Sequence, residues 1–163
     1  MTIRSTVHGT FKIEMNIEAS PEQIFQVFSD PAAKSKWFAG PPDQCTELHR
    51  EMDFRVGGKE RLSAKWDKGA HGGAVSHCDL TYMNIVPNER IVYAYGMTID
   101  ETPLSSSVAS IELTPSGNGT RFVLTEHGIY FDGQDGVAGR EQGTRGLLEA
   151  MRAAVASETA AAA

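Results

Sequence analysis

Glu126 is the residue of this 163-residue chain best placed to do chemistry. It ends an alternating run, Phe122, Leu124 and Glu126, whose period of two puts all three on one side of a strand. A carboxylate on an apolar face is costly unless paired, and Arg140, on the covered side of the helix that follows, is the candidate partner. Such a pair could carry general acid–base chemistry, with Glu126 as general acid or base of raised pKa and Arg140 steadying a developing negative charge. A structural ion pair, or simple exposure of Glu126 at a strand end, would leave the same pattern.

Around this pair the sequence offers aromatic rings with polar tips. Tyr82, Tyr93, Tyr95 and Trp66 could hold a ring-bearing ligand by stacking plus a hydrogen bond, or fill a core. Met97, Met151 and Phe54 suit filling space, although Met accommodates varied ligand shapes. His71, His77 and His127 belong to no HxH or HExxH spacing, so no metal is expected. Ser105 to Ser107 form no GxSxG elbow. Gly57-Gly58 and the Gly69 to Gly73 segment do not open a helix after a strand and are turns rather than phosphate cradles. Cys45 and Cys78 lack CxxC spacing and read as reduced structural thiols. No cofactor is implied.

The elements that must position these groups follow from periodicity. Val7 to Ile17 alternates as a half-buried strand. Ser20-Pro21-Glu22-Gln23 then opens a helix as N-cap, N1 proline and capping box, with Ile24, Phe25, Val27 and Phe28 on its buried side. Asp30-Pro31 ends it, and Asp30 caps a second short helix over Ala32 to Trp37. Strands are predicted over Leu48 to Val56, Glu60 to Trp66, His77 to Val86, Ile91 to Met97, Ser105 to Leu113 and Arg121 to Glu126, separated by Gly-, Pro- and Asn-bearing turns. Val137 to Ser157 closes the order as an amphipathic helix with Thr144, Leu147, Leu148, Met151 and Val155 on one stripe, and Ala160 to Ala163 as a frayed end.

Helices segregated from an antiparallel sheet make an α+β architecture of about seven strands. A twisted sheet of that size curls, and a long helix across its concave face encloses a space. The chain length suits one domain over 1–163. A net charge of −6 without a basic cluster disfavours nucleic acid and anionic membranes. Residues 1–9 contain no apolar leader and no apolar run reaches the ~18 residues of a span, so a soluble, cytoplasmic protein is expected.

Three stretches carry a family resemblance: Ile17-Glu18-Ala19-Ser20-Pro21-Glu22-Gln23-Ile24-Phe25, Asp30-Pro31 leading to Trp37-Phe38, and Asp53-Phe54-Arg55-Val56-Gly57-Gly58. With Ile85 to Tyr93, Gly119 to Phe122 and Arg140 to Gly143, they resemble the START/Bet v 1-like (SRPBCC) superfamily, and within it the group named for the activator of the heat-shock protein 90 ATPase. The resemblance covers about Thr6 to Val155. It implies a helix-grip fold, in which a curved sheet grips the C-terminal helix, two short helices close one end and a ligand-sized cavity lies inside. Trp37-Phe38 would then be a gate at the ligand's entrance or an anchor for the second helix. Relatives bind lipids, hormones or polyketide-like molecules, some cyclise polyketides, and the eponymous group stimulates a chaperone's ATPase. The sequence departs from the common pattern at Thr144, where many relatives carry Trp, and at the polar Glu126-His127 pair.

The first expectation is therefore a cofactor-independent domain binding a small hydrophobic or aromatic molecule. The ligand contacts named for it are Trp37, Phe38, Phe54, Trp66, Tyr82, Tyr93, Tyr95, Met97, Glu126, Arg140, Thr144, Leu147, Leu148 and Met151. The N-terminal half of the last helix should line the space opposite Glu126 while its C-terminal half packs. A cofactor-independent enzyme of the cyclase or hydratase type using Glu126, as the resemblance suggests, comes second, and a chaperone regulator, suggested by the family name alone, third. Exposed strand edges leave room for a homodimer.

Overall fold

The computed structural model describes residues 3–163; Met1 and Thr2, part of the N-terminal stretch read above, lie outside the described residues. The elements are β1 (Thr6–Ile17), α1 (Pro21–Ser29), α2 (Pro31–Ser35), β2 (Cys45–Met52), β3 (Lys59–Trp66), β4 (Val75–Val86), β5 (Arg90–Ile99), β6 (Thr102–Ser116), β7 (Gly119–Phe131) and α3 (Val137–Ala162). All seven strands form one antiparallel sheet in the order β1-β7-β6-β5-β4-β3-β2. This is the α+β, helix-grip arrangement.

Local chemistry sets the ends of the short helices as expected. Ser20 Oγ accepts from the Gln23 amide at 3.2 Å while the Ser20 amide donates to Gln23 Oε1 at 2.9 Å, and Asp30 Oδ1 accepts from the Ala32 amide at 2.9 Å. Helix α2 stops at Ser35, so Trp37 sits in the turn beyond it.

Several boundaries differ from the sequence reading. The strand placed over Leu48 to Val56 runs instead over Cys45–Met52, with a register shift between Glu47 and His49 that turns Leu48 outward. Both Leu48 and Val56 are more than half exposed. Beyond Met52 the chain folds into a tight turn, in which Gly58 is compulsory because a Cβ there would lie 2.0 Å from the Asp53 carbonyl oxygen. Strands β5 and β6 lengthen to meet at Asp100-Glu101, since Pro103 is tolerated near a strand start. Strand β7 continues five residues past Glu126, which is thus central rather than terminal, and α3 carries on through the alanines to Ala162.

The register stacks inward-facing side chains in rows across the sheet. Tyr82, Tyr93, Ala109, Glu126 and Phe11 form one row; Glu60, Leu80, Tyr95, Ser107, Gly128 and Gly9 form the next. The two glycines let other groups in close. A Cβ on Gly128 would lie 2.7 Å from Tyr130 Oη, and one on Gly9 would lie 2.5 Å from Val137 Cβ at the start of α3. Gly9→Ala should therefore push the helix start off β1 and lower stability by about 1–3 kcal/mol, read as a reduced urea midpoint with unchanged slope.

The core follows the two halves of α3. Leu148, Met151, Ala154 and Val155 are buried against β1, α1 and the β6–β7 face, among Ile13, Ile24, Phe28, Ile111, Phe122 and Leu124. Toward its N-terminus the helix becomes small and polar, and the packing opens.

Candidate functional site

Between that N-terminal half of α3 and the concave face of the sheet lies a pocket of about 350 Å³. The helix contributes Gly139, Arg140, Gly143, Thr144, Leu147 and Leu148 to its wall. From the sheet come Leu62, Ala64 and Trp66 on β3, Cys78 and Leu80 on β4, Tyr93, Tyr95 and Met97 on β5, and Leu124 and Glu126 on β7. Lys34, Trp37 and Phe38 close it from the α2 side.

Eleven of the residues nominated from sequence thus meet around one space: Trp37 and Phe38, Trp66, Tyr93, Tyr95 and Met97, Glu126, and Arg140, Thr144, Leu147 and Leu148. Three do not. Met151 is fully buried two turns beyond Thr144, where α3 lies on the core. Phe54 sits in the turn after β2, its ring edge-on to Phe25 at 5.6 Å and to Tyr82 at 4.9 Å. Tyr82 is buried behind the pocket, with its hydroxyl in an ion-pair cluster. Trp37 is fixed in place at the pocket wall: its indole N–H donates to the Val27 carbonyl at 2.9 Å and its ring lies edge-on to Phe28.

At one side of the pocket Glu126 and Arg140 come together through Tyr95. The Tyr95 hydroxyl donates to Glu126 Oε1 at 2.7 Å and accepts from Arg140 Nη1 at 2.9 Å, while Arg140 Nη1 itself stands 3.8 Å from Glu126 Oε1. The guanidinium's other arm donates to Asp135 Oδ2 at 2.6 Å and Ser105 Oγ at 2.7 Å. Rings of Tyr95 and Tyr130 sandwich its charge at 5.5 Å each. Glu126 is 2% exposed, and burial pushes its carboxyl above the ordinary range against the opposing pull of the Tyr95 hydrogen bond and the Arg140 charge. Burial, with the Glu126 charge beside them, likewise holds Tyr93 and Tyr95 protonated.

A raised carboxyl leaves a mark on stability. The unfolded chain releases this proton near pH 4.3, the folded one later, so stability falls as pH climbs from there through the raised value. Replacing Glu126 by Gln should flatten that falling part of the urea-midpoint profile, above the ordinary glutamate pKa, relative to the parent protein. Parallel profiles would show the carboxyl to be unperturbed.

The sequence reading missed the second polar cluster. Lys34 Nζ donates to Glu60 Oε2 at 2.6 Å and to Tyr82 Oη at 3.2 Å, and the Tyr82 hydroxyl donates to the same Glu60 oxygen. Lys34 is 5% and Glu60 2% exposed. Glu60's place in the alternating row with Leu62, Ala64 and Trp66 was the available signal; nothing local marks Lys34. Asp135 and Ser105, which complete the Arg140 site, were also missed; Ser105 could have been found from its shared parity with Ala109. Burial holds the Cys78 thiol up at about 12, so it stays protonated at neutral pH. Both cysteines are free, and among the described residues no group of acidic, His and Cys side chains could hold a metal.

Residues 18–156 match the family described as Activator of Hsp90 ATPase homolog 1-like protein. The chain belongs to this family. It is an SRPBCC protein, and solved structures of similar chains agree. The Mll3558 protein from Rhizobium loti is 42% identical, with 92% of this chain and 99% of that one covered and a TM-score of 0.81. An uncharacterized protein from Rhizobium leguminosarum is 35% identical over 96% and 99% of the two chains, with a TM-score of 0.87. Protein CV1439 from Chromobacterium violaceum is 27% identical over 90% and 96%, at 0.72. No curated protein matches the chain. Among the described residues no helix is long and apolar enough to cross a membrane.

Proposed function

We propose that this Activator of Hsp90 ATPase homolog 1-like protein binds a small hydrophobic or aromatic molecule between the sheet and the N-terminal half of α3, in the cytoplasm. The observation that carries the reading is the pocket itself. Its volume of about 350 Å³ passes the ~300 Å³ a drug-sized ligand needs, and its walls are mostly apolar, with the charged groups gathered into two hydrogen-bonded clusters. Trp66, Met97, Leu147 and Phe38 supply the apolar contact. Tyr95, Glu126 and Arg140 supply the few polar groups that would fix a ligand's orientation.

Native mass spectrometry of freshly purified protein tests this directly. A co-purifying small molecule, released on unfolding, is the expected result. Protein that emerges empty and also fails to bind the fluorescent probe 1-anilinonaphthalene-8-sulfonate would refute it.

The burial and raised carboxyl of Glu126 favour a second reading, a cofactor-independent cyclase or hydratase in which Glu126 moves a proton. If so, Glu126→Gln should keep the affinity for the co-purified molecule and abolish its turnover. The chaperone reading has no support beyond the family's description.

A further inference from the structure

The Lys34 cluster lies on the pocket wall but plays no part in the proposed ligand contacts. A lysine that merely tied α2 to the sheet would do so equally well with its ammonium at a solvated rim. Here Lys34 is enclosed, borders the pocket, and has Phe38 4.8 Å beneath its Nζ. Its acidic partner is incompletely satisfied: Glu60 Oε2 accepts two hydrogen bonds while Oε1 is buried without one. A second oxygen with free lone pairs can take a proton without breaking the existing bonds.

We propose that Lys34 forms a reversible imine with an aldehyde or ketone group of the pocket's ligand, with Glu60 handling the protons and Tyr82 holding the Glu60 carboxyl in place. The inference rests on the pocket being a ligand site. Desolvation of the ammonium, stronger here than the attraction of Glu60, pulls the amine's pKa down and so favours the neutral nucleophile. The two thiols on the pocket wall, Cys45 and Cys78, are both pushed up by burial and so stay protonated.

The steps balance without an oxidant or reductant. Lys34 passes a proton to Glu60, and its lone pair forms a C–N bond to the carbonyl carbon as the C=O π pair moves to oxygen. Glu60 protonates that oxygen, takes one proton from the new C–N nitrogen, and returns it to the hydroxyl as the C–O bond breaks and water leaves. Lysine ammonium and carbonyl become protonated imine and water. The final cation again faces the Glu60 carboxylate and lies above the Phe38 ring, with the Tyr82 hydroxyl bonded to the carboxylate throughout.

The test incubates the full chain with 2-naphthaldehyde and sodium cyanoborohydride at neutral pH, followed by intact-mass measurement and peptide mapping. Lys34 should become a stable secondary amine, one adduct per chain, about tenfold faster than exposed Lys12, Lys36, Lys59, Lys65 or Lys68. Glu60→Gln, which keeps the lysine, should slow labelling at Lys34 about tenfold and leave the others unchanged. Labelling of Lys34 no faster than of the exposed lysines, or unaffected by Glu60→Gln, would overturn the proposal. The unreactive 2-naphthalenemethanol separates the two readings: if it quenches tryptophan fluorescence saturably while Lys34 stays unlabelled, the imine falls and the pocket stands. If it fails to bind and Lys34 is unlabelled, both fall.

Discussion

Lys34→Met should cost about 3–5 kcal/mol of folding stability, the loss expected when one member of a buried ion pair is removed. The substitution strands the Glu60 carboxylate, 2% exposed, with the Tyr82 hydroxyl as its remaining donor. Surface pairs give no comparable effect: Arg145 and Glu141, one turn apart on the outside of α3, should be worth a few tenths of a kcal/mol. The comparison that isolates the charge is Lys34→Met with Glu60→Gln. The amide can still accept from Tyr82 and carries no charge, so the double variant should recover at least about 2 kcal/mol of the loss. Urea unfolding of the four proteins checks this. Additive losses would mean that Lys34 contributes through its apolar stem against Phe38 rather than through Glu60.

Thr144→Trp should abolish ligand binding while leaving the fold intact. Thr144 borders the pocket, its hydroxyl turned back onto the Arg140 carbonyl at 2.8 Å, and a Cβ at the adjacent Gly143 would meet nothing within 4 Å. An indole there has room to enter the space between α3 and the sheet. It would take the free volume from about 350 Å³ to below the ~300 Å³ of a drug-sized site. Affinity for 1-anilinonaphthalene-8-sulfonate should fall at least about tenfold, equivalent to about 1.4 kcal/mol. Thermal stability should hold or rise, because the ring gains apolar burial in a space already present. If affinity survives with the same stoichiometry, the probe binds elsewhere on the molecule. Met151→Ala provides the contrast: that side chain is fully buried outside the pocket, so its loss should cost about 2–5 kcal/mol of stability.

The differences between these sites explain how far the sequence could be read. Period-two alternation placed Phe122, Leu124 and Glu126 on one face because consecutive strand side chains point oppositely whatever their partners, and the sheet obeys it. Caps were equally legible, since Ser20 with Gln23 and Asp30 with Ala32 bond within three residues. The same alternation misled at Leu48, where an extra residue in the ladder reverses facing; a bulge leaves no mark in a hydropathy pattern. Phe54 failed with it, for the strand that would have aimed it at the pocket had already ended at Met52.

By itself, then, the sequence determined which segments become strands and helices, the apolar stripe of α3 and its shift from apolar to small and polar residues, and the inward side of Glu126. These follow from interactions spanning a few residues, fixed by backbone geometry. Only the tertiary structure decided what each inward group meets. Lys34 finds Glu60 across 26 positions, Tyr95 bridges Glu126 to Arg140, and Gly9 admits Val137, because pairing register and the seat of α3 bring distant residues within hydrogen-bond or van der Waals reach. The free space beside Thr144 is decided the same way: it is the remainder left when Leu148 and Met151 pack, and a remainder depends on every surrounding side chain at once.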